Sequence, residues 1–207
     1  VARLKPPGGE PLVPPVPQSV HAATVPGDLV LHLTARLLDG RGAWGGIPAE
    51  DWIVLDRDAL AALTGPGPLE VGRSWEVDPA VSGRLLTHFY PATENNDVRA
   101  NRLERHALRA TVVSAGAARV RVRLDGVLRM QHRFYHKDDG RVVEATVVGV
   151  LDVDPGSRAI RALQLVTERA TYGGGTFGVA VRSIPSLSAD RPGPGSSERL
   201  DTGRLDL

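Results

Sequence analysis

A run of strand patterns fills the second half of the chain and constrains the fold more than any other feature. Between 103 and 184, stretches rich in β-branched and alternating apolar residues are separated by short turn signals such as Asp125-Gly126 and Gly173-Gly174-Gly175. Strands joined so closely must pair antiparallel, because a parallel pair needs a long crossover. The pattern therefore predicts a meander of six consecutive strands, at 103–114, 118–125, 127–134, 142–153, 159–171 and 177–184.

Two shorter strand patterns and one helix pattern precede the meander. Leu29 to Leu38 alternates apolar and polar residues with a period of two, and Trp75-Glu76-Val77 indicates a short strand. A helix follows, because Asp78 is a favourable N-cap and Pro79 suits the first helical position. The sequence predicts an α+β, predominantly β fold. We expect an antiparallel meander of about six to eight strands, curved like a half-barrel and packed on one short helix at about 79–90.

Composition divides the chain into one domain and two tails. Residues 1–23 are rich in proline and predict a disordered tether, and 186–207 predict a disordered Pro/Gly/Ser tail. Residues 24–185 then form a single β-rich domain. In it, 40–72 are less regular and are predicted to be an irregular excursion, with a short apolar run at 52–55 and a helical turn at 58–63.

Several functional classes are excluded by composition. The chain has no cysteine, so disulfide frameworks, thiolate metal sites and cysteine nucleophiles are absent. A net charge of +1 provides no global field to attract nucleic acid, and no apolar run reaches the ~20 residues that span a bilayer. The chain opens at Val1 without a methionine and continues as a tether-like segment, from which we expect a processed protein located outside the cytoplasm, periplasmic or secreted.

Catalytic motifs are missing from the sequence. It contains no G-x-S-x-G elbow, no H-E-x-x-H and no Walker-type loop. The glycine triplet 173–175 lies between two strands rather than before a helix, which favours a tight hairpin over a phosphate cradle. We therefore assign no catalytic residue and expect a protein that is not an enzyme.

Two similar segments are the most suggestive local feature. His88-Phe89-Tyr90 precedes an acidic turn-forming run, and so does His132-Arg133-Phe134-Tyr135-His136. If they approach each other, polar groups would converge on a ligand site, because loops on a rigid scaffold often carry function. The residues expected there are Tyr90, Asn95, Asn96, Asp97 and Asp138.

The histidines of these segments permit a second hypothesis. Neutral imidazole suits zinc or copper, and three such ligands suffice for a site, so His88, His132 and His136 are candidate metal ligands. In an extended strand His132 and His136 would lie roughly 13 Å apart, so sharing one metal requires a turn between them. The alternative interpretation is that these histidines are the polar ends of strands and turns.

Eight arginines between 102 and 133 create a local excess of positive charge. Arg119, Arg121 and Arg123 alternate on one face of a predicted strand. They indicate either an anion-binding face or, as we favour, a solvated face whose charges pair with acids on later strands. These strands carry no interleaved aromatic residues for stacking on bases, so we expect no nucleic-acid partner.

Together these observations favour a non-enzymatic binding or interaction module. A sheet curved over a helix can leave a groove for an apolar small molecule or a protein segment. We expect no cofactor in such a module. The alternative is a histidine-based zinc or copper protein that uses the two His-Phe-Tyr segments.

Overall fold

The computed structural model describes residues 27–38, 49–91, 98–132 and 140–184. In these residues eight strands form one antiparallel sheet that is not closed into a barrel, and two short α-helices accompany it. The predicted fold class, a curved antiparallel sheet packed on a short helix, is confirmed. The elements are β1 (Leu29–Leu37), β2 (Ala49–Leu55), α1 (Arg57–Thr64), β3 (Ser74–Glu76), α2 (Pro79–Leu86), a 3-10 turn (Val98–Ala100), β4 (Arg102–Ala115), β5 (Val120–Gln131), β6 (Val142–Val153), β7 (Ile160–Tyr172) and β8 (Gly175–Ser183).

The strand order places the early part of the chain at both margins of the sheet. The order is β2-β1-β8-β7-β6-β5-β4-β3, so β4 to β8 form the predicted meander and β1 pairs with its last strand. Register shifts interrupt the β4–β5, β6–β7 and β7–β8 ladders. Such irregularities bend strands and increase their twist, which curves the sheet around its core.

Alternation along the strands sorts residues between two faces. The inner face buries every second residue of β5, for example Val122 and Leu124, while Arg123 between them is exposed on the outer face. Leu85 and Phe89 from α2 and its C-terminal extension pack into the same core and are fully buried. Burying one such side chain contributes roughly 1.5–3 kcal/mol, so helix and sheet stabilise each other.

The predicted N-terminus of α2 is confirmed, but the helix is shorter than expected. Asp78 accepts a hydrogen bond from the Ala80 N–H at 2.8 Å, and Pro79 is the first helical residue. The prediction of a helix to about residue 90 was wrong, because α2 ends at Leu86. The next residues form a turn, and His88 and Tyr90 leave the helix axis to contact other parts of the fold.

The excursion predicted over 40–72 contains regular structure in its described part. β2 pairs with β1 along its whole length, and α1 follows with Asp56 as N-cap. α1 ends at Gly65, where φ is 67° and a Cβ atom would lie 2.4 Å from the Trp75 ring. Glycine is required there both for the left-handed conformation and for the close approach of the indole.

Asp125-Gly126 is not a turn, so the predicted strands 118–125 and 127–134 are one strand, β5. The meander therefore has five strands rather than six. Gly126 is buried on the inner face, where an added Cβ would lie 3.1 Å from Leu108 Cδ1. The glycine serves close packing between neighbouring strands, which is the other common use of glycine inside a strand.

No helix in the described ranges is long and apolar enough to cross a bilayer.

Candidate functional site

A cavity of about 350 Å³ opens at one end of the inner face, where β1 and β2 meet the chain that follows α2. Its apolar walls come from Leu33 and Ala35 on β1, Ala49 on β2, and Pro91 and Val98 beyond α2. Its remaining lining residues are Glu50, Asp51, Trp52, His88 and Tyr90. The cavity therefore combines an aliphatic side with a polar and aromatic side.

Asp51 and His88 form the polar centre of this cluster. Asp51 lies opposite Leu33 in the β1–β2 register, which directs its side chain toward the inner face. Its Oδ2 lies 2.7 Å from His88 Nδ1, and its Oδ1 accepts the Trp52 N–H at 2.7 Å. The imidazole is only 14% exposed and the carboxylate 39% exposed, so the pair is partly withdrawn from water.

The hydrogen bonds of Asp51 keep its carboxyl group ionised. Burial alone would raise the pKa of Asp51, but the hydrogen bonds from His88 and from the Trp52 N–H outweigh burial and hold the pKa below its ordinary value. A carboxylate at Nδ1 favours the tautomer that carries its proton there. The neutral ring then presents Nε2 as a hydrogen-bond acceptor, and the protonated ring presents it as a donor.

The two His-Phe-Tyr segments meet through an aromatic stack. The rings of Tyr90 and His132 are 4.7 Å apart with an interplanar angle of 23°. His132 is 1% exposed, and its Nδ1 lies 2.7 Å from Asn101 Oδ1. Tyr172 approaches the same imidazole edge-on at 5.6 Å. The segments are thus joined behind the cavity by packing, with Tyr90 belonging to both the stack and the cavity wall.

Only part of the predicted site falls in the described ranges. Tyr90 lines the cavity, and His88 lies beside it in the same wall. The other predicted residues of the polar site and the third metal candidate lie outside the described residues: Asn95, Asn96, Asp97, His136 and Asp138. Their part in a site therefore stays a prediction.

The metal hypothesis finds no complete ligand set among the described residues. No group of three or more His, Cys, Asp or Glu side chains in those ranges is arranged to hold a metal ion. The Nδ1 atoms of His88 and His132 lie within hydrogen-bond distance of Asp51 and Asn101 respectively. Zinc or copper binding stays a hypothesis that depends on His136. Elemental analysis of protein purified without a histidine tag decides it.

Asp51 is the residue of the candidate site that sequence reasoning missed. It lies 37 residues before His88, in the segment predicted to be irregular. A signal was present, because Asp51, Ile53 and Leu55 alternate and place a carboxylate on the same face as two buried apolar residues. A carboxylate on a core-facing position needs a partner, and that requirement points to a histidine or arginine elsewhere.

The arginine-rich face has the character that we favoured from sequence. Arg121 forms two hydrogen bonds to Asp152, at 2.9 and 3.1 Å, and lowers the pKa of that carboxyl group. Arg123 pairs with Asp125 on its own strand. Arg129 pairs with acids on both neighbouring strands, Glu104 on β4 and Glu144 on β6. Carboxylates on the sheet itself therefore pair with much of this positive charge.

Comparison with known proteins adds no function to this geometry. No protein-family model, no curated protein and no solved structure matches the chain.

Proposed function

We propose that this protein is a binding module that holds a small, largely apolar molecule in the cavity between β1, β2 and the chain after α2. The observation that carries the proposal is the Asp51–His88 pair, which lies in the wall of a cavity whose other side is aliphatic. The ligand would place its apolar body against Leu33, Ala35 and Val98. A single hydrogen-bonding group on it would reach the imidazole.

The size and lining of the cavity support such a ligand. Small-molecule sites are typically concave, mostly apolar and about 300–1,000 Å³ in volume, with a few polar groups that orient the ligand. A volume of about 350 Å³ lies at the lower end of that range. A ligand of one or two rings, or a short branched chain, fits better than a long lipid.

Binding is proposed rather than turnover because of the side chains that line the cavity. The described lining residues provide one oriented imidazole–carboxylate pair, and none of them is serine, threonine or lysine. A histidine–carboxylate pair in hydrolytic sites acts on a nucleophile within hydrogen-bond reach. With no serine, threonine or lysine among the described lining residues, we assign the pair the role of an oriented hydrogen-bonding group for a bound molecule.

The first experiment tests whether the cavity binds apolar molecules. N-phenyl-1-naphthylamine, an uncharged dye that fluoresces in apolar surroundings, is titrated into the protein. Ala49→Leu should weaken binding about tenfold or more, because the added side chain fills volume that the dye needs. Ala180→Leu, the same change on an exposed outer-face position, serves as the control and should bind like the unmodified protein. Equal binding by both variants would contradict the proposal.

The second experiment tests the polar group. Isothermal titration calorimetry compares 2-naphthol, which carries one hydroxyl, with naphthalene, which carries none. His88→Phe should weaken 2-naphthol binding about three- to tenfold, the effect of one lost hydrogen bond, and leave naphthalene binding nearly unchanged. A melting curve of each variant shows that the fold is retained. If His88→Phe weakens the binding of 2-naphthol and naphthalene equally, His88 contacts the ligand without forming a hydrogen bond to it, and this part of the proposal is wrong.

A further inference from the structure

The outer face of the sheet carries an apolar row that the cavity does not explain. Val148, Val166 and Ala180 are aligned directly across β6, β7 and β8 in the strand register. Val166 is 44% exposed, Ala180 is exposed and Val148 is half-buried. Solvent-facing positions of an antiparallel sheet are usually polar, so three aligned apolar residues are an exception.

Three exposed arginines surround this row. Arg182 lies two residues beyond Ala180 on β8, about 7 Å along the strand. Arg36 lies on β1 opposite Gly178, which is two residues before Ala180. Arg169 follows Val166 on β7, beyond a register shift. None of the three forms an ion pair or a hydrogen bond with another described side chain.

The other half of the same face is different. Arg121, Arg123 and Arg129 on β5 pair with acidic residues on their own or adjacent strands, so little of their charge is available to a partner. Arg36, Arg169 and Arg182 lie around the exposed apolar row on β7, β8 and β1. The exposed Val127 on β5 has fewer unpaired charges around it, because it lies beside Arg129, which is paired with two acids, and beside Arg105, which forms no ion pair among the described residues.

We propose that the row Val148–Val166–Ala180 and the surrounding arginines form a docking surface for an acidic segment of a partner protein. Carboxylates of the segment would pair with Arg36, Arg169 and Arg182, and a short apolar side chain between them would cover Val166. An apolar centre with a polar, charged rim is the usual anatomy of a protein interface. Unpaired guanidinium groups select carboxylates through charge-assisted hydrogen bonds.

Charge and side-chain size favour a protein segment over other anionic partners. A membrane surface is bound by large apolar side chains that insert between lipids, whereas the centre of this row is valine and alanine. Single-stranded nucleic acid is bound by aromatic stacking platforms, and the row and its three arginines include none. This surface lies on the face opposite the cavity, so the inference is independent of the proposed ligand.

The experiment uses a fluorescein-labelled peptide of alternating glutamate and valine, with a lysine–valine peptide as its counterpart. Fluorescence anisotropy at low ionic strength measures binding to the full chain. We expect the acidic peptide to bind saturably and the basic peptide not to bind. The double variant Arg169→Gln/Arg182→Gln should weaken the acidic peptide about tenfold or more, because two charge-assisted contacts are lost. Val166→Asp should weaken it as well, with all three arginines intact.

The matched control is Arg121→Gln/Arg123→Gln, which removes the same charge from the paired half of the face. The affinity of this variant for the acidic peptide should stay within about twofold of that of the unmodified protein, because the Arg121 and Arg123 side chains already pair with Asp152 and Asp125. Melting curves confirm that each variant is folded. Three outcomes overturn the proposal: no saturable binding in the millimolar range, equal loss in the control, or arginine-dependent binding to phosphatidylserine vesicles without binding to the peptide.

Discussion

The two ends of the inner face use polar side chains in opposite ways. At the end that carries α1, the Arg158 guanidinium donates to the carbonyl oxygens of Thr64, Gly65 and Gly67. In the same connection, Asp154 accepts hydrogen bonds from the backbone N–H groups of Gly156 and Ser157. At the opposite end, the Asp51–His88 pair lies in the wall of a cavity.

The two ends differ in whether the fold itself satisfies the polar groups. Arg158 has a φ of 59°, an unfavourable backbone conformation for a residue with a side chain. Its hydrogen bonds to the carbonyl end of α1 offset that cost, because those carbonyls lack partners within the helix. At the α1 end, the donors of Arg158 and the acceptors of Asp154 are satisfied by the backbone of the fold. At the cavity end, Asp51 orients the His88 imidazole, which lines the cavity.

The largest expected effect comes from the helix between the two ends. Leu85 is fully buried, so Leu85→Ala should lower the free energy of unfolding by about 2–5 kcal/mol, measured by urea denaturation. Val81→Ala, at a partly buried position of the same helix, should cost less. A neutral Leu85→Ala would mean that α2 is not part of the common core.

The second largest effect tests whether the α1 end and the cavity end of the inner face are independent. Arg158→Ala should lower the free energy of unfolding by about 1.5–3 kcal/mol, because hydrogen bonds from a charged donor to three carbonyls are lost. Dye binding at the cavity should not change. Arg158→Lys keeps the charge but loses the planar fork, and should recover only part of the stability. If Arg158→Ala abolished dye binding without unfolding the protein, the two ends would not be independent.

A smaller loss is expected at the start of α2. Asp78→Ala removes the side chain that caps the Ala80 N–H and should cost on the order of 1 kcal/mol. Asp58→Ala, an acidic residue in the first turn of α1 that is not its cap, provides the comparison and should cost a few tenths of a kcal/mol. Similar losses for the two variants would show that charge rather than capping matters.

The smallest expected effect is on the stability of the protein at acidic pH, and it concerns Asp51. Because the pKa of Asp51 is lowered in the folded protein, its ionised form stabilises the fold above the ordinary pKa of 3.8. That contribution is lost as the pH falls through the lowered value. Asp51→Asn should therefore flatten the dependence of unfolding free energy on pH below about pH 4.

Asp154 provides the matched measurement at the other end. Hydrogen bonds from the Ser157 N–H, from Arg161 and from the Ser157 hydroxyl lower the pKa of its carboxyl group strongly. Asp154→Asn should flatten the acid dependence more than Asp51→Asn, because its set of hydrogen bonds is larger. If both variants show the same pH dependence of unfolding free energy as the unmodified protein, the pKa values of Asp51 and Asp154 are not lowered in the folded state.

Sequence signals were reliable where the structural feature that they predict involves only residues close together in the chain. The alternation of Leu29–Leu37, the Asp78 cap and the turn at Gly173-Gly174 all concern neighbours in sequence, and each is present in the structure. The same kind of signal failed at Asp125-Gly126, because a glycine in a turn and a glycine against a neighbouring strand have the same local appearance. Only the position of Leu108 on β4 distinguishes the two.

The sequence by itself determined the antiparallel sheet and the start of the helix. These features depend on periodicity and capping, which act over a few residues. The tertiary structure alone decided that His88 meets Asp51 and that Tyr90 stacks on His132. It also decided that Arg169 has no acidic partner among the described residues. Such contacts join residues far apart in the chain. They depend on strand order and register, which local sequence does not encode.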